Sequence, residues 1–131
     1  MKILVDTNVL FSALLYPQGT TGRVLIYVSE NCELVLSDYN ISELREIVER
    51  KAPHKMMDID VLLAKLAHEL VMAPISPEKK ISDPKDAPVL NAAIIADVDV
   101  IISGDHHFVD LTLSRPVVKT ATEFLHEFID F

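Results

Sequence analysis

"KILVDTNVLFSALLY", residues 2–16, is the stretch on which the fold turns. Lys2 to Val5 is a short apolar run with the β-branched character of a strand, Asp6-Thr7-Asn8 is a polar turn, and apolar residues then return at helical spacing until Pro17 and Gly19. A strand that passes through three polar residues into a helix opens a β-then-α unit, and the same order recurs along the chain.

After Thr20, Thr21 and Gly22 a second helix is expected over 23–30, and the compact run "CELVLS", 32–37, reads as the second strand. In "DYNISELREIVER", 38–50, Ile41, Leu44, Ile47 and Val48 share one side of a third helix, with Ser37 or Asp38 as its N-cap and Pro53 as its stop. A fourth helix fits 57–70, a short strand 71–76, and the Pro- and charge-rich 77–88 reads as a loop. The second half then gives a helix over 89–98, a strand over 100–103, a turn with a short helical piece over 105–113, a strand over 116–120, and a helix over 121–131 capped by Thr120 or Thr122. Strands alternating with helices imply an α/β protein whose central parallel sheet is covered on both faces.

Half of the 131 residues are hydrophobic, enough for one substantial core, so a single domain over 1–131 is expected. The net charge of -8 argues against holding nucleic acid by bulk positive charge and leaves that task to a bound cation or a local basic patch. Arg45, Arg50, Lys51 and Lys55 cluster on and after the third helix and are the candidates for contacts to RNA phosphates, although a solvated helix face gives the same pattern. Cys32 stands alone, which favours a reducing, cytoplasmic setting and a packing role for the thiol. Asp6 and Asn8 break the apolar start of the chain as a signal peptide would not be broken, and no run is long enough to span a bilayer, so a soluble chain with no membrane partner is expected.

Three segments, "ILVDTN", "LVLSD" and "IISGD", each carry a strand into an aspartate. In an open parallel sheet ligands bind beyond the carboxyl ends of the strands, where these acids arrive. Asp6 ends the first strand, Asp105 follows the strand at 100–103, Glu43 lies in the third helix, and Asp86 heads the helix before strand 100–103. Two carboxylates about 4 Å apart repel by roughly 4 kcal/mol at an effective dielectric of 20, so four that converge need a counter-charge. Mg²⁺ or Mn²⁺ would supply one, because a hard dication prefers oxygen ligands and keeps several waters.

Taken in order, "ILVDTNVL", "SELREIV" and "DPKDAPVLNAAIIADVDVIISGDHHFVDL" resemble the PIN domain family, in particular the small single-domain toxins of toxin-antitoxin pairs of the VapC kind. The resemblance implies a PIN-like three-layer α/β/α fold and a metal-dependent ribonuclease. It also implies Asp6, Glu43, Asp86 and Asp105 as the catalytic and metal-binding acids, Asn8 and Ser103 as polar supports, and Asp83 as the alternative to Asp86. A small antitoxin partner and a homodimer follow from the same resemblance. His106 and His107 gain no role from it, and adjacent loop histidines without further His or Cys ligands do not make a zinc site.

Other classes remain open on the sequence. A degenerate relative would bind RNA or protein without cleaving it. A receiver-like domain would use an aspartate such as Asp38 as phosphoacceptor, with Lys119 after its last strand, but would leave Glu43 and Asp105 unexplained. An aspartyl phosphatase would need a second acid where Asn8 stands.

Overall fold

Residues 1–72, 87–104 and 116–130 are described by the computed structural model, except for the side chains of 87 and 88. Five parallel strands form one sheet: β1 (Lys2–Val5), β2 (Glu33–Ser37), β3 (Glu69–Val71), β4 (Val100–Ile102) and β5 (Val117–Lys119), in the order β3-β2-β1-β4-β5. The helices are α1 (Thr7–Leu15), α2 (Thr20–Asn31), α3 (Asp38–Lys51), α4 (Met56–Lys65), α5 (Ala87–Ala96) and α6 (Ala121–Phe124).

Strand periodicity sorts the core into two layers. Ile3 and Val5 of β1, Leu34 and Leu36 of β2, and Val100 and Ile102 of β4 face one side, where they meet Leu10, Val24, Leu44, Ile59 and Phe124 of the helices. Leu4, Val35 and Ile101 face the other side and are covered by Val89, Leu90, Ala92 and Ala93 of α5. Burial on both faces explains why these strands are nearly unbroken apolar runs. The expected α/β/α layering with a central parallel sheet is therefore present.

The order 3-2-1-4-5 also removes the receiver-like alternative, because receiver domains have the order 2-1-3-4-5. Asp38 here occupies the first turn of α3, where its Oδ1 accepts from the Tyr39 amide at 2.9 Å, and Lys119 is paired with Glu127 at 2.6 Å.

Several boundaries differ from expectation. α2 begins at Thr20, so Gly22, which is buried, lies within its first turn instead of preceding it. α4 ends at Lys65, and Glu69–Val71, expected as helix end and strand start, pairs instead with Val35–Ser37 of β2. α5 ends at Ala96 because Asp97 turns left-handed (φ 58°), and the Val98 amide bonds back to the Ala93 carbonyl at 3.1 Å. The last expected helix is α only through Phe124 and continues as a π turn over Leu125–Ile129, along which Phe124 and Phe128 keep their rings 4.7 Å apart. The expected loop over 77–88 up to position 86, and the helical piece over 105–113, lie outside the described residues.

α6 starts with a complete capping box: Thr120 Oγ1 accepts from the Glu123 amide at 3.1 Å, and the Thr120 amide donates to Glu123 Oε1 at 2.9 Å. Thr120→Ala is expected to cost about 1 kcal/mol in chemical denaturation at neutral pH. The Thr120 amide, with its hydroxyl second, holds the Glu123 carboxyl below its ordinary value. Glu123's share of the cap is accordingly complete above the unfolded carboxyl pKa and fades as pH falls through the folded value.

Candidate functional site

β1 is the middle strand, with β2 on one side and β4 on the other, so its carboxyl end is where the direction of chain progression across the sheet reverses. Asp6 sits at that end. Its backbone extends the ladder, the amide donating to the Ile102 carbonyl of β4 at 3.0 Å, and its side chain caps α1 by accepting from the Thr7 amide at 2.7 Å. The other carboxylate oxygen accepts from the Ser103 hydroxyl at 2.9 Å, across 97 residues of sequence. Asp6 is only 5 % exposed, and a carboxylate is seldom buried so far without a specific reason. Both of these donors are neutral: they orient the charge without cancelling it.

Ser103 is itself fixed, since its amide donates to the Lys119 carbonyl of β5 at 2.9 Å. The strand register places Val5 opposite Ile102, so the residues that follow, Asp6 and Ser103, emerge side by side. Gly104 follows with a φ outside the left-handed region, and a Cβ on it would meet nothing within 4 Å among the described residues.

On the β2 side a second set of polar groups is buried. Ser37, the last residue of β2, caps α3 by accepting from the Asn40 amide at 3.0 Å, while its hydroxyl donates to Asn40 Oδ1 at 2.7 Å. Asn40 Nδ2 donates to Thr7 Oγ1 at 2.8 Å and so ties the head of α3 to the head of α1 beside Asp6. Sequence reading missed Ser37, Asn40 and Thr7 as members of one cluster. A signal for Asn40 existed: it lies at four-residue spacing from Leu44 and Val48, the other buried residues of α3.

Glu43 lies one helical turn beyond Asn40 and is half-buried, and the Tyr39 hydroxyl donates to its Oε2 at 3.3 Å. Asn8 is exposed and, with Gly104, Ser12, Thr20 and Thr120, borders an open recess of about 270 Å³. Asp83, Asp86 and Asp105, with His106 and His107, lie outside the described residues. Among the described residues no three His, Cys, Asp or Glu side chains form a metal cluster, which leaves Asp6 and Glu43 as the described half of the expected acidic set.

Arg45, Arg50, Lys51 and Lys55 lie toward the far end of α3 and beyond. At 1.5 Å of rise per residue, Arg50 is about 10 Å farther along the helix axis than Glu43. Arg45 pairs with Asp60 at 2.8 Å and Lys55 with Asp58 at 3.6 Å. Cys32 is half-buried against the core, and burial pushes its thiol pKa up, as expected of a packing residue and not of a nucleophile. No helix among the described residues is long and apolar enough to cross a membrane.

The geometry can be set beside known proteins. VapBC2 from Rickettsia felis, in a crystal structure bound to a DNA fragment from their promoter, shares the fold at TM-score 0.71 and 14 % identity, over 92 % of this chain and 98 % of that one. VapC20 of Mycobacterium tuberculosis, a toxin that cleaves the sarcin-ricin loop, shares it at TM-score 0.62 and 12 % identity, over 82 % and 92 %. No curated protein sequence matches significantly. The PIN domain profile matches residues 2–107, from the first strand through Asp6, Glu43 and Ser103, and the chain is thus a member of the PIN domain family.

Proposed function

We propose that this protein is a Mg²⁺- or Mn²⁺-dependent ribonuclease that hydrolyses RNA phosphodiester bonds, and that it is the toxin of a toxin-antitoxin pair. The observation that carries the proposal is the contact between Ser103 and Asp6, which brings the end of β4 against a buried carboxylate at the switch point of the sheet. Family membership and the fold shared with VapC toxins support the same reading.

The donor set fits a hard dication: Asp6 and Glu43 offer carboxylate oxygens, and the Thr7 amide and the Ser103 and Tyr39 hydroxyls orient them. In this proposal Asp6, Glu43, Asp86 and Asp105 hold the metal, with Asp83 as the substitute for Asp86. In sequence, Asp105 stands two residues after Ser103, and Asp86 directly precedes α5. When bound, such an ion lowers the pKa of a coordinated water and offsets charge on the phosphate.

The chain's own residues do the positioning. Ser103 and the Thr7 amide fix the plane of the Asp6 carboxylate, and Tyr39 restrains Glu43. With a net charge of -8 the protein gains little from long-range attraction to RNA, so substrate binding depends on the metal and on local contacts. Asn8, beside the recess, is one polar side chain for a ribose or phosphate oxygen, and Arg45, Arg50, Lys51 and Lys55 would meet a strand that extends along α3. A small antitoxin as partner, a second copy of the chain, and a cytoplasmic location complete the proposal.

The test is cleavage of a panel of structured and single-stranded RNAs by the purified chain. Cleavage with Mg²⁺ or Mn²⁺ that stops in EDTA and returns on adding the ion is the expected result. RNA binding with no cleavage under either ion would leave a degenerate binding protein, and cleavage undiminished in EDTA would remove the metal from the mechanism.

A further inference from the structure

We infer that Asn40 is a positioning residue that sets the separation of Asp6 and Glu43 through Thr7, an inference that rests on the ribonuclease reading above. Asn40 is fully buried in the stripe that Leu44 and Val48 continue, a face whose other buried members are apolar. A buried amide is unfavourable unless its hydrogen bonds are made, so stability alone does not select Asn at this place.

Both ends of its side chain are satisfied, and each connects a different element. Oδ1 accepts from Ser37 Oγ at the end of β2, and Nδ2 donates to Thr7 Oγ1 at the head of α1. Thr7 directly follows Asp6 and gives its amide to the Asp6 carboxylate. Glu43 follows Asn40 by one turn of α3. Among the described residues this is the side-chain bond that joins the heads of the two helices bearing Asp6 and Glu43.

The physical need for such a tie is plain. Like-charged groups on α1 and α3 push the two helix heads apart whenever no cation lies between them. A neutral, buried hydrogen bond resists that separation without adding charge of its own, and it keeps the oxygens near the spacing that a cation of fixed radius requires. An ion pair at the same place would compete for the carboxylates.

Thr7→Val tests this, because it keeps the shape of the side chain and removes only the hydroxyl that Asn40 donates to. In the folded protein, Mn²⁺ affinity measured by electron paramagnetic resonance is expected to fall about tenfold, the scale found when outer groups that orient metal ligands are lost. The kcat on a short RNA is expected to fall by a similar factor with KM changed far less, and Thr7→Ser, which retains the oxygen, is expected to restore both. Should Thr7→Val fail to fold, Thr7→Val combined with Asn40→Leu makes both ends of the bond apolar, and the same losses are expected. A folded variant with wild-type Mn²⁺ affinity and kcat would overturn the inference while leaving the ribonuclease reading intact. Absence of Mn²⁺ binding and cleavage in the wild-type chain would overturn that reading and this inference together.

Discussion

Asp6→Asn is expected to reduce metal-dependent RNA cleavage by at least about 10³-fold, equivalent to roughly 4 kcal/mol of transition-state stabilisation. The substitution is nearly isosteric. The asparagine oxygen can still accept from the Thr7 amide, and the Ser103 hydroxyl can rotate to accept from the new amide group, so the hydrogen bonds that seat residue 6 survive. What disappears is a negative charge at a buried position between β2 and β4.

That loss has opposite consequences for folding and for metal binding. Without metal, if the proposed acids converge on Asp6, removing its charge relieves repulsion, so the melting temperature is expected to stay level or rise. With metal, the wild-type chain is expected to gain stability with the logarithm of the ratio of Mn²⁺ concentration to its dissociation constant, and the variant is expected to lose that gain. Thermal melts of both proteins with and without Mn²⁺, run beside the cleavage assay, separate a lost ligand from a damaged fold. Wild-type cleavage by a folded Asp6→Asn protein would remove Asp6 from the chemistry.

The features that a sequence shows are those in which local pattern and tertiary environment agree. β1, Asp6 and α1 were legible because a strand buried on both faces must be apolar, and a strand-to-helix turn needs a capping side chain. Ser103 was legible as a support through its place before Gly104 and Asp105, yet its contact with Asp6 depends on β4 lying next to β1, which no local pattern states. The end of α4 was misread because Leu66 and Leu70 continue the helical spacing, whereas Glu69–Val71 gains more by pairing with β2.

Asn40 was overlooked for a related reason. Apolar periodicity finds the inner face of a helix by its hydrophobic members, and a polar residue on that face is discounted unless its partners are known. Those partners, Ser37 and Thr7, lie 3 and 33 residues away. The nearer one could have been read from the Ser-x-x-Asn spacing at the helix start; the farther one required the fold.

Gly22→Ala is expected to destabilise the protein by about 2–3 kcal/mol, although local reasoning gives the opposite sign. Gly22 is in the first turn of α2, where alanine would gain up to about 1 kcal/mol from helix propensity and from a less flexible unfolded chain. Its φ is not left-handed, so nothing in the backbone conformation itself calls for glycine. The constraint is spatial: a Cβ at position 22 would overlap the carbonyl oxygen of Pro17 and crowd the Pro17 carbonyl carbon at 2.6 Å.

Since the atoms in the way belong to backbone, relief requires the α1–α2 connection to move. That connection is held by the Tyr16 amide on the Ser12 carbonyl at 2.9 Å and the Gly19 amide on the Tyr16 carbonyl at 2.9 Å, bonds worth about 1 kcal/mol each. Overpacking adds about 1–3 kcal/mol, so the sum exceeds the propensity gain. The expected fall in melting temperature is about 10 °C for a domain of this size. Metal affinity of the folded fraction is expected to stay at the wild-type value, because Thr7, Ile102 and Ser103, which bond to Asp6, lie outside the connection. A variant that melts at or above the wild-type temperature would mean that residues 16–19 yield freely and that helix propensity decides the outcome.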